Sequence, residues 1–237
     1  MPTETSLLAV LIDADNVPSK FADSILKEVT SYGEPGLRRV YGDWSSPQLA
    51  GWTETAQKLG LVQHQQTANT KGKNVSDIGL VIDAMDILHA GHFDGFVLVS
   101  SDSDFTRLAS RIREQGLTVI GIGEAKAPVA LKNACNRFVA IENIYEEPGT
   151  KTRSKPKTAG HNLAEARALI IAAMDKIDQE GEWYPLGRIG QQILADKPDF
   201  DTRTYGKRKL SEIVNELSFF ETQKTAGNQL LVKYTKG

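Results

Sequence analysis

Residues 7–12, LLAVLI, form an unbroken apolar run that stops at Asp13. Residues 96–99, FVLV, form another, followed at once by Ser100-Ser101-Asp102-Ser103-Asp104. A strand with one wet face alternates apolar and polar side chains. A run without polar interruption suits a strand covered on both faces. Further strands are expected at 37–41, 61–65, 117–122 and 138–141. Helical patterns lie between them. Phe21, Ile25, Leu26 and Val29 keep helical spacing from Pro18 to Gly33, and residues 47–59 form the next helix. Ile78, Val81, Ile82, Met85 and Leu88 line a helix that Ser76 can cap and Gly91 stops. Phe105, Leu108, Ala109 and Ile112 line another that Gly116 ends, and residues 128–134 give a short one. Strands alternating with helices predict an α/β fold, a parallel sheet with helices on both faces. Ligands of such sheets bind at the carboxyl ends of strands, where the strand order reverses.

The composition breaks once. Residues 148–160, PGTKTRSKPKTAG, hold four basic residues, no acid and no large apolar side chain, which predicts a flexible basic linker. Residues 1–147 carry 13 basic and 19 acidic residues, a net −6, the linker is +4, and residues 161–237 hold 11 of each sign. The total of −2 hides this asymmetry and by itself makes no case for nucleic acid. In the tail, Asn162 can cap a helix carrying Leu163, Ala166, Leu169, Ile170, Ala173 and Ile177. Helices at 186–194 and 205–217 follow, then extended pieces at 219–224 and 229–234 joined by Ala226-Gly227-Asn228. Three helices and a hairpin describe a small winged helix-turn-helix. The single cysteine, Cys135, excludes an internal disulfide, reads as an inert buried thiol and fits the cytoplasm. No apolar run approaches the roughly 20 residues of a membrane span, so no membrane association is expected. The opening MPTETS does not read as a signal peptide.

The chemistry concentrates in aspartates. Asp13 stands at the tip of the first strand, Asp102 and Asp104 follow FVLVSS, and Asp77 opens its own helix in TKGKNVSDIG. The spacing of two lets Asp102 and Asp104 face one side of an extended loop. Four carboxylates in one small volume do not all stay ionised without a cation. Mg²⁺ or Mn²⁺ suits oxygen ligands of this kind and can polarise a phosphoryl oxygen. The plainer reading of each acid alone is a helix cap or turn residue. Asp15 fits a cap or an exposed position, and Asn16 either orients a water or phosphate or caps the helix at Pro18. Asp83 and Asp86 fit a solvated helix face. Lys71, Lys73 and Arg107 either hold a phosphate beside the metal or are simply solvated. Trp44, Trp52 and Tyr41 offer either core packing or a surface for base stacking. His64, His89, His92 and His161 lack zinc-ligand spacing with cysteine.

The strand-Asp-x-x-Asn opening, the helix start at Asp77 and the Ser-Asp-x-Asp-Phe loop resemble the NYN domains of the LabA-like type, relatives of the PIN-domain nucleases. The resemblance covers about residues 6–145. It implies a PIN-like sandwich in which Asp13, Asp77, Asp102 and Asp104 hold one or two Mg²⁺ or Mn²⁺ ions, with Asn16 beside them. It also implies cleavage of single-stranded RNA. The tail, through Leu186-Gly187, the run Pro198–Asp201 and Tyr205-Gly206, resembles a LOTUS or OST-HTH domain. That resemblance implies binding of single-stranded or structured RNA, or a protein partner. Lys207, Arg208 and Lys209, expected at the start of the third helix, with Arg203 just ahead of it, are either phosphate contacts or a solvated basic face. The leading expectation is thus a metal-dependent ribonuclease (residues 1–147) tethered by 148–160 to an RNA module (161–237). A homodimer is left open. One alternative is a non-catalytic RNA-binding adaptor. Another is a haloacid-dehalogenase-type phosphatase with Asp13-Ala14-Asp15 as its Asp-x-Asp, although no Lys followed by an Asp-Asp pair appears downstream.

Overall fold

The computed structural model describes residues 5–65, 75–145, 163–178 and 181–235. The chain divides into two compact units, Met1–Tyr145 and Glu146–Gly237. In the first unit strands and helices alternate: β1 (Leu7–Asp13), α1 (Ala22–Val29), β2 (Glu34–Gly42), α2 (Ala50–Leu59), β3 (Val62–Gln65), α3 (Val75–Ala90), β4 (Gly95–Val99), α4 (Thr106–Glu114), β5 (Thr118–Gly123), α5 (Val129–Ala134) and β6 (Arg137–Ala140). All five strand pairs are parallel, in the order β3-β2-β1-β4-β5-β6. The expected α/β architecture is therefore present. The chain winds outward from β1 to β3, then restarts at β4 on the other side of β1. The order reverses between β1 and β4, and the carboxyl ends of those two strands form the crevice.

Alternation along β1 explains why its run is unbroken. Leu8, Val10 and Ile12 pack into one core with Ile25 and Val29 of α1 and Trp52 of α2. Ala9 and Leu11 pack into a second core with Leu80 and Ala84 of α3 and Leu108 and Ile112 of α4. Both faces of the strand are thus dry. Cys135 lies in the second core, and burial pushes its thiol up to about 12. No helix among the described residues is long and apolar enough to cross a membrane.

Two expectations change. Strand β2 begins at Glu34, earlier than the expected 37, and takes in Pro35 and Gly36. The register passes from Leu8↔Pro35 to Ala9↔Leu37, so Gly36 is skipped as a bulge. Pro35 is tolerated because β3 joins β2 only from Arg39 onward, which leaves one edge of β2 unpaired there. Helix α3 buries Leu80, Ala84, Ile87 and Leu88, whereas Ile78 and Ile82 are 59% and 57% exposed. This segment is apolar on more than one side, so its spacing did not fix which side turns inward.

The second unit comprises α6 (Leu163–Lys176), β7 (Tyr184–Pro185), α7 (Leu186–Asp196), α8 (Leu210–Glu216), β8 (Phe220–Lys224) and β9 (Leu230–Tyr234). Ile170, Met174, Ile189, Ile193, Ile213, Val214 and Val232 build its core. The expected hairpin is present, with Asn228 in the left-handed region at φ 58°. The short β7, not anticipated, pairs with β9 and makes the sheet three-stranded, in the order β7-β9-β8. The third helix is shorter than expected. Residues Thr202–Tyr205 form a 3₁₀ turn, Gly206 follows at φ 71°, and α8 starts only at Leu210. Lys207, Arg208 and Lys209 therefore precede the helix instead of lying on it. Asn162 and the 148–160 linker lie outside the described residues.

The crevice leaves no room at Gly123, the last residue of β5. A Cβ there would stand 2.6 Å from the backbone oxygen of Ser100 and 2.8 Å from Ser101 Oγ. Gly123→Ala should destabilise the protein by about 1–3 kcal/mol, measured by urea unfolding.

Candidate metal centre

Asp13 is the last residue of β1, and alternation sends its side chain to the α3 and α4 side with Ala9 and Leu11. It is 1% exposed. Its Oδ1 accepts the backbone N–H groups of Asp15 (3.2 Å) and Asn16 (3.3 Å). Its Oδ2 accepts Asn16 Nδ2 at 2.7 Å and the Ser100 hydroxyl at 2.8 Å. Burial pushes its pKa up against these hydrogen bonds, which favour the ionised form, and Asp15 adds repulsion.

Ser100 links the two strands that flank the crevice. Ile12 of β1 pairs with Val99 of β4, which puts Asp13 and Ser100 side by side. The Ser100 oxygen also accepts the backbone N–H of Asp102 at 3.1 Å. Asp102 in turn caps the 3₁₀ turn Ser103–Phe105, accepting Asp104 N–H at 2.9 Å, while buried Phe105 anchors that turn in the core. One chain of hydrogen bonds thus runs from Asn16 through Asp13 and Ser100 to Asp102 and Asp104.

Asp77 approaches from across the crevice in the first turn of α3. Carboxylate oxygens of Asp77, Asp102 and Asp104 all lie within 4.8 Å of one another. Asp13 is not in that trio, yet it belongs to the same field. The pKa of Asp77 rises to about 6, first through burial and then through the charges of Asp13, Asp102, Asp15 and Asp104. The donor set is oxygen only, half-buried on one side and exposed at Asp104. Hard, oxygen-seeking divalent cations that keep part of their water shell fit such a set.

The remaining expected residues fall as follows. Asn16 is exposed and donates to Asp13, and Asp15 is exposed. Arg107 is exposed in the first turn of α4. Lys71 and Lys73 lie outside the described residues. Trp52 is buried and donates Nε1 to the Val17 carbonyl at 2.8 Å, and Tyr41 is buried too, so both are core groups and not a stacking surface. In the second unit, Arg203 is tied to the buried carboxylate of Asp201 through Nε (3.0 and 2.9 Å) and Nη2 (2.6 Å). Lys207 pairs with Glu216. Arg208 and Lys209 are exposed, and neither forms an ion pair among the described residues. Sequence reasoning missed Ser100. The signal available was its place directly after an apolar run parallel to the one that ends in Asp13.

The fold and the acidic crevice define an α/β domain of the doubly wound, parallel kind with its polar centre at the switch point. Residues 7–142 match the NYN domain, and residues 161–232 match the OST-HTH/LOTUS domain. The chain belongs to the NYN domain family, with a PIN-like fold, and carries an OST-HTH/LOTUS domain after it. No curated protein matches the chain significantly. Among solved structures, a protein of unknown function from Vibrio parahaemolyticus RIMD 2210633 aligns at 21% identity with a TM-score of 0.49. That alignment covers 60% of this chain and 96% of the other.

A carboxyl group with a raised pKa favours its neutral form in the folded state. The stability linked to Asp77 is therefore fully present below the ordinary value of 3.8 and lost as pH rises through about 6. In EDTA, the thermal midpoint of the wild type should fall between pH 4 and 7, and Asp77→Asn should flatten that fall. At pH 7, Mn²⁺ should raise the wild-type midpoint and have little effect on the variant.

Proposed function

We propose that this protein is a divalent-metal-dependent ribonuclease that hydrolyses phosphodiester bonds of single-stranded RNA, with its OST-HTH/LOTUS unit retaining the RNA. An NYN domain points to a nuclease and an OST-HTH/LOTUS domain to RNA binding. The observation that carries the reading is the convergence of Asp77, Asp102 and Asp104 beside the buried Asp13, at the edge of the sheet where ligands of such folds bind. Asp77, Asp102 and Asp104 would hold Mg²⁺ or Mn²⁺. A bound cation supplies Lewis acidity to a phosphoryl oxygen and to the attacking water.

The chain's own groups have separate tasks. Asn16 and Ser100 orient the Asp13 carboxylate, which keeps negative potential at the floor of the crevice. Asp104, exposed at the mouth, marks the side open to substrate. Arg107, with Lys71 and Lys73, would neutralise the phosphates of the incoming strand. Arg208 and Lys209 would hold the same RNA, or another stretch of it, on the second unit. The buried, free Cys135 fits a reducing cytoplasm.

Purified protein should cleave single-stranded RNA with Mn²⁺ or Mg²⁺ and lose activity in EDTA. Asp102→Asn should reduce the rate by about 10²-fold or more, in line with the loss of electrostatic stabilisation at a reacting centre. Equal cleavage by the wild type and the variant would assign the activity to a contaminant. RNA binding without cleavage in either metal would instead identify an adaptor. Arg208→Ala with Lys209→Ala should weaken RNA binding and lower the salt dependence by about 0.7 per lost phosphate contact, measured by titration at several salt concentrations.

A further inference from the structure

A second group of charged side chains lies on the same face of the sheet as the acidic centre, one strand away. Asp83 sits on α3, six residues past Asp77, or about 9 Å along the helix axis. Expected on a solvated face, it is instead half-buried. Its Oδ1 accepts from Arg39 Nη1 and its Oδ2 from the Tyr41 hydroxyl. His64 Nδ1 lies 4.0 Å from Oδ2, and the imidazole tilts against the Tyr41 ring at 5.1 Å. Arg39 and Tyr41 are two residues apart on β2, so both face α3. Tyr41 pairs directly with Asp13 on β1 and with His64 on β3. Burial and the neighbouring Asp83 push the Tyr41 pKa up, which keeps its hydroxyl a neutral donor.

The rest of the buried side of α3 is Leu80, Ala84, Ile87 and Leu88. Apolar packing has little direction, and a helix held by it alone can slide or turn by a fraction of an ångström. Hydrogen bonds from a guanidinium and a hydroxyl to one carboxylate fix both the height and the rotation of the helix. Asp77 rides on that helix. Asp13 rides on the strand that pairs with the other end of the clamp.

We propose that the Arg39–Asp83–Tyr41 clamp sets the position of Asp77 against Asp102 and Asp104, making these three positioning residues of the cation site. The inference rests on reading the acids as that site. Outer-shell partners of metal ligands change affinity by about 10–100-fold when removed. The test is Mn²⁺ affinity of the full chain by calorimetry without RNA, beside thermal midpoints in EDTA. Tyr41→Phe should stay folded and weaken Mn²⁺ binding about tenfold or more. Arg39→Gln should do the same, and Arg39→Lys should restore most of the loss.

A merely structural clamp would lower the midpoint in EDTA and leave Mn²⁺ affinity within about twofold of the wild type, well short of that range. That result in folded Tyr41→Phe and Arg39→Gln overturns the proposal. Should Tyr41→Phe fail to fold, Arg39→Gln decides, since the Arg39 side chain is 27% exposed and tolerates replacement better. A wild type that binds no Mn²⁺ sinks the cation site itself, and the clamp with it.

Discussion

Like charges must be held together here against their own repulsion. Asp13, Asp77, Asp102 and Asp104 come from three separate stretches of chain, and burial, reinforced by their mutual field, raises Asp77 to about 6. Such a gathering persists only where other interactions impose it. The parallel sheet sets Asp13 and Ser100 side by side, and the 3₁₀ turn after β4 aims Asp102 and Asp104. Backbone N–H groups donate to the carboxylates of Asp13 and Asp102, and the Ser100 hydroxyl donates to Asp13. The crevice thus keeps its acids in place through strand pairing and hydrogen bonds.

The second unit treats charge in the opposite way. Many of its cations are already answered internally: Lys176 by Asp196, Lys197 by Glu165, Arg203 by Asp201, Lys207 by Glu216 and Lys233 by Glu182. Arg203 stabilises the turn that Asp201 caps. Arg208 and Lys209 stand out because they sit between Gly206 and the first residue of α8, on backbone that is neither turn nor helix. A sequence cluster of four basic residues thus resolves into two that hold the fold and two that face solvent.

What could be read from sequence followed from strong local signals. The runs at 7–12 and 96–99 lack any polar interruption, which fixes strands dry on both faces; Asp13 follows the first directly, and Asp102 and Asp104 follow the second after two serines. The side of α3 that turns inward was not readable, because Ile78, Val81, Ile82 and Met85 compete with Leu80, Ala84 and Ile87 for the core. Partners far off in the chain decide it. Arg39 and Tyr41 reach Asp83 across 44 and 42 residues. The role of Ser100 depends on a strand pairing that no local pattern encodes. Strand β7 is two residues long, too short to leave a periodic signal, and exists because β9 offers it an edge.

The hydrogen bond between Asp13 and Ser100 spans 87 residues. During synthesis, β1 can find β2 early, but its other neighbour emerges much later. Until then Leu8, Val10 and Leu11 have an open flank, and the Asp13 carboxylate lacks its hydroxyl donor. The middle of the sheet therefore closes only once β4 has been made, after β2 and β3, and the nascent chain spends that interval with β1 paired along one edge only.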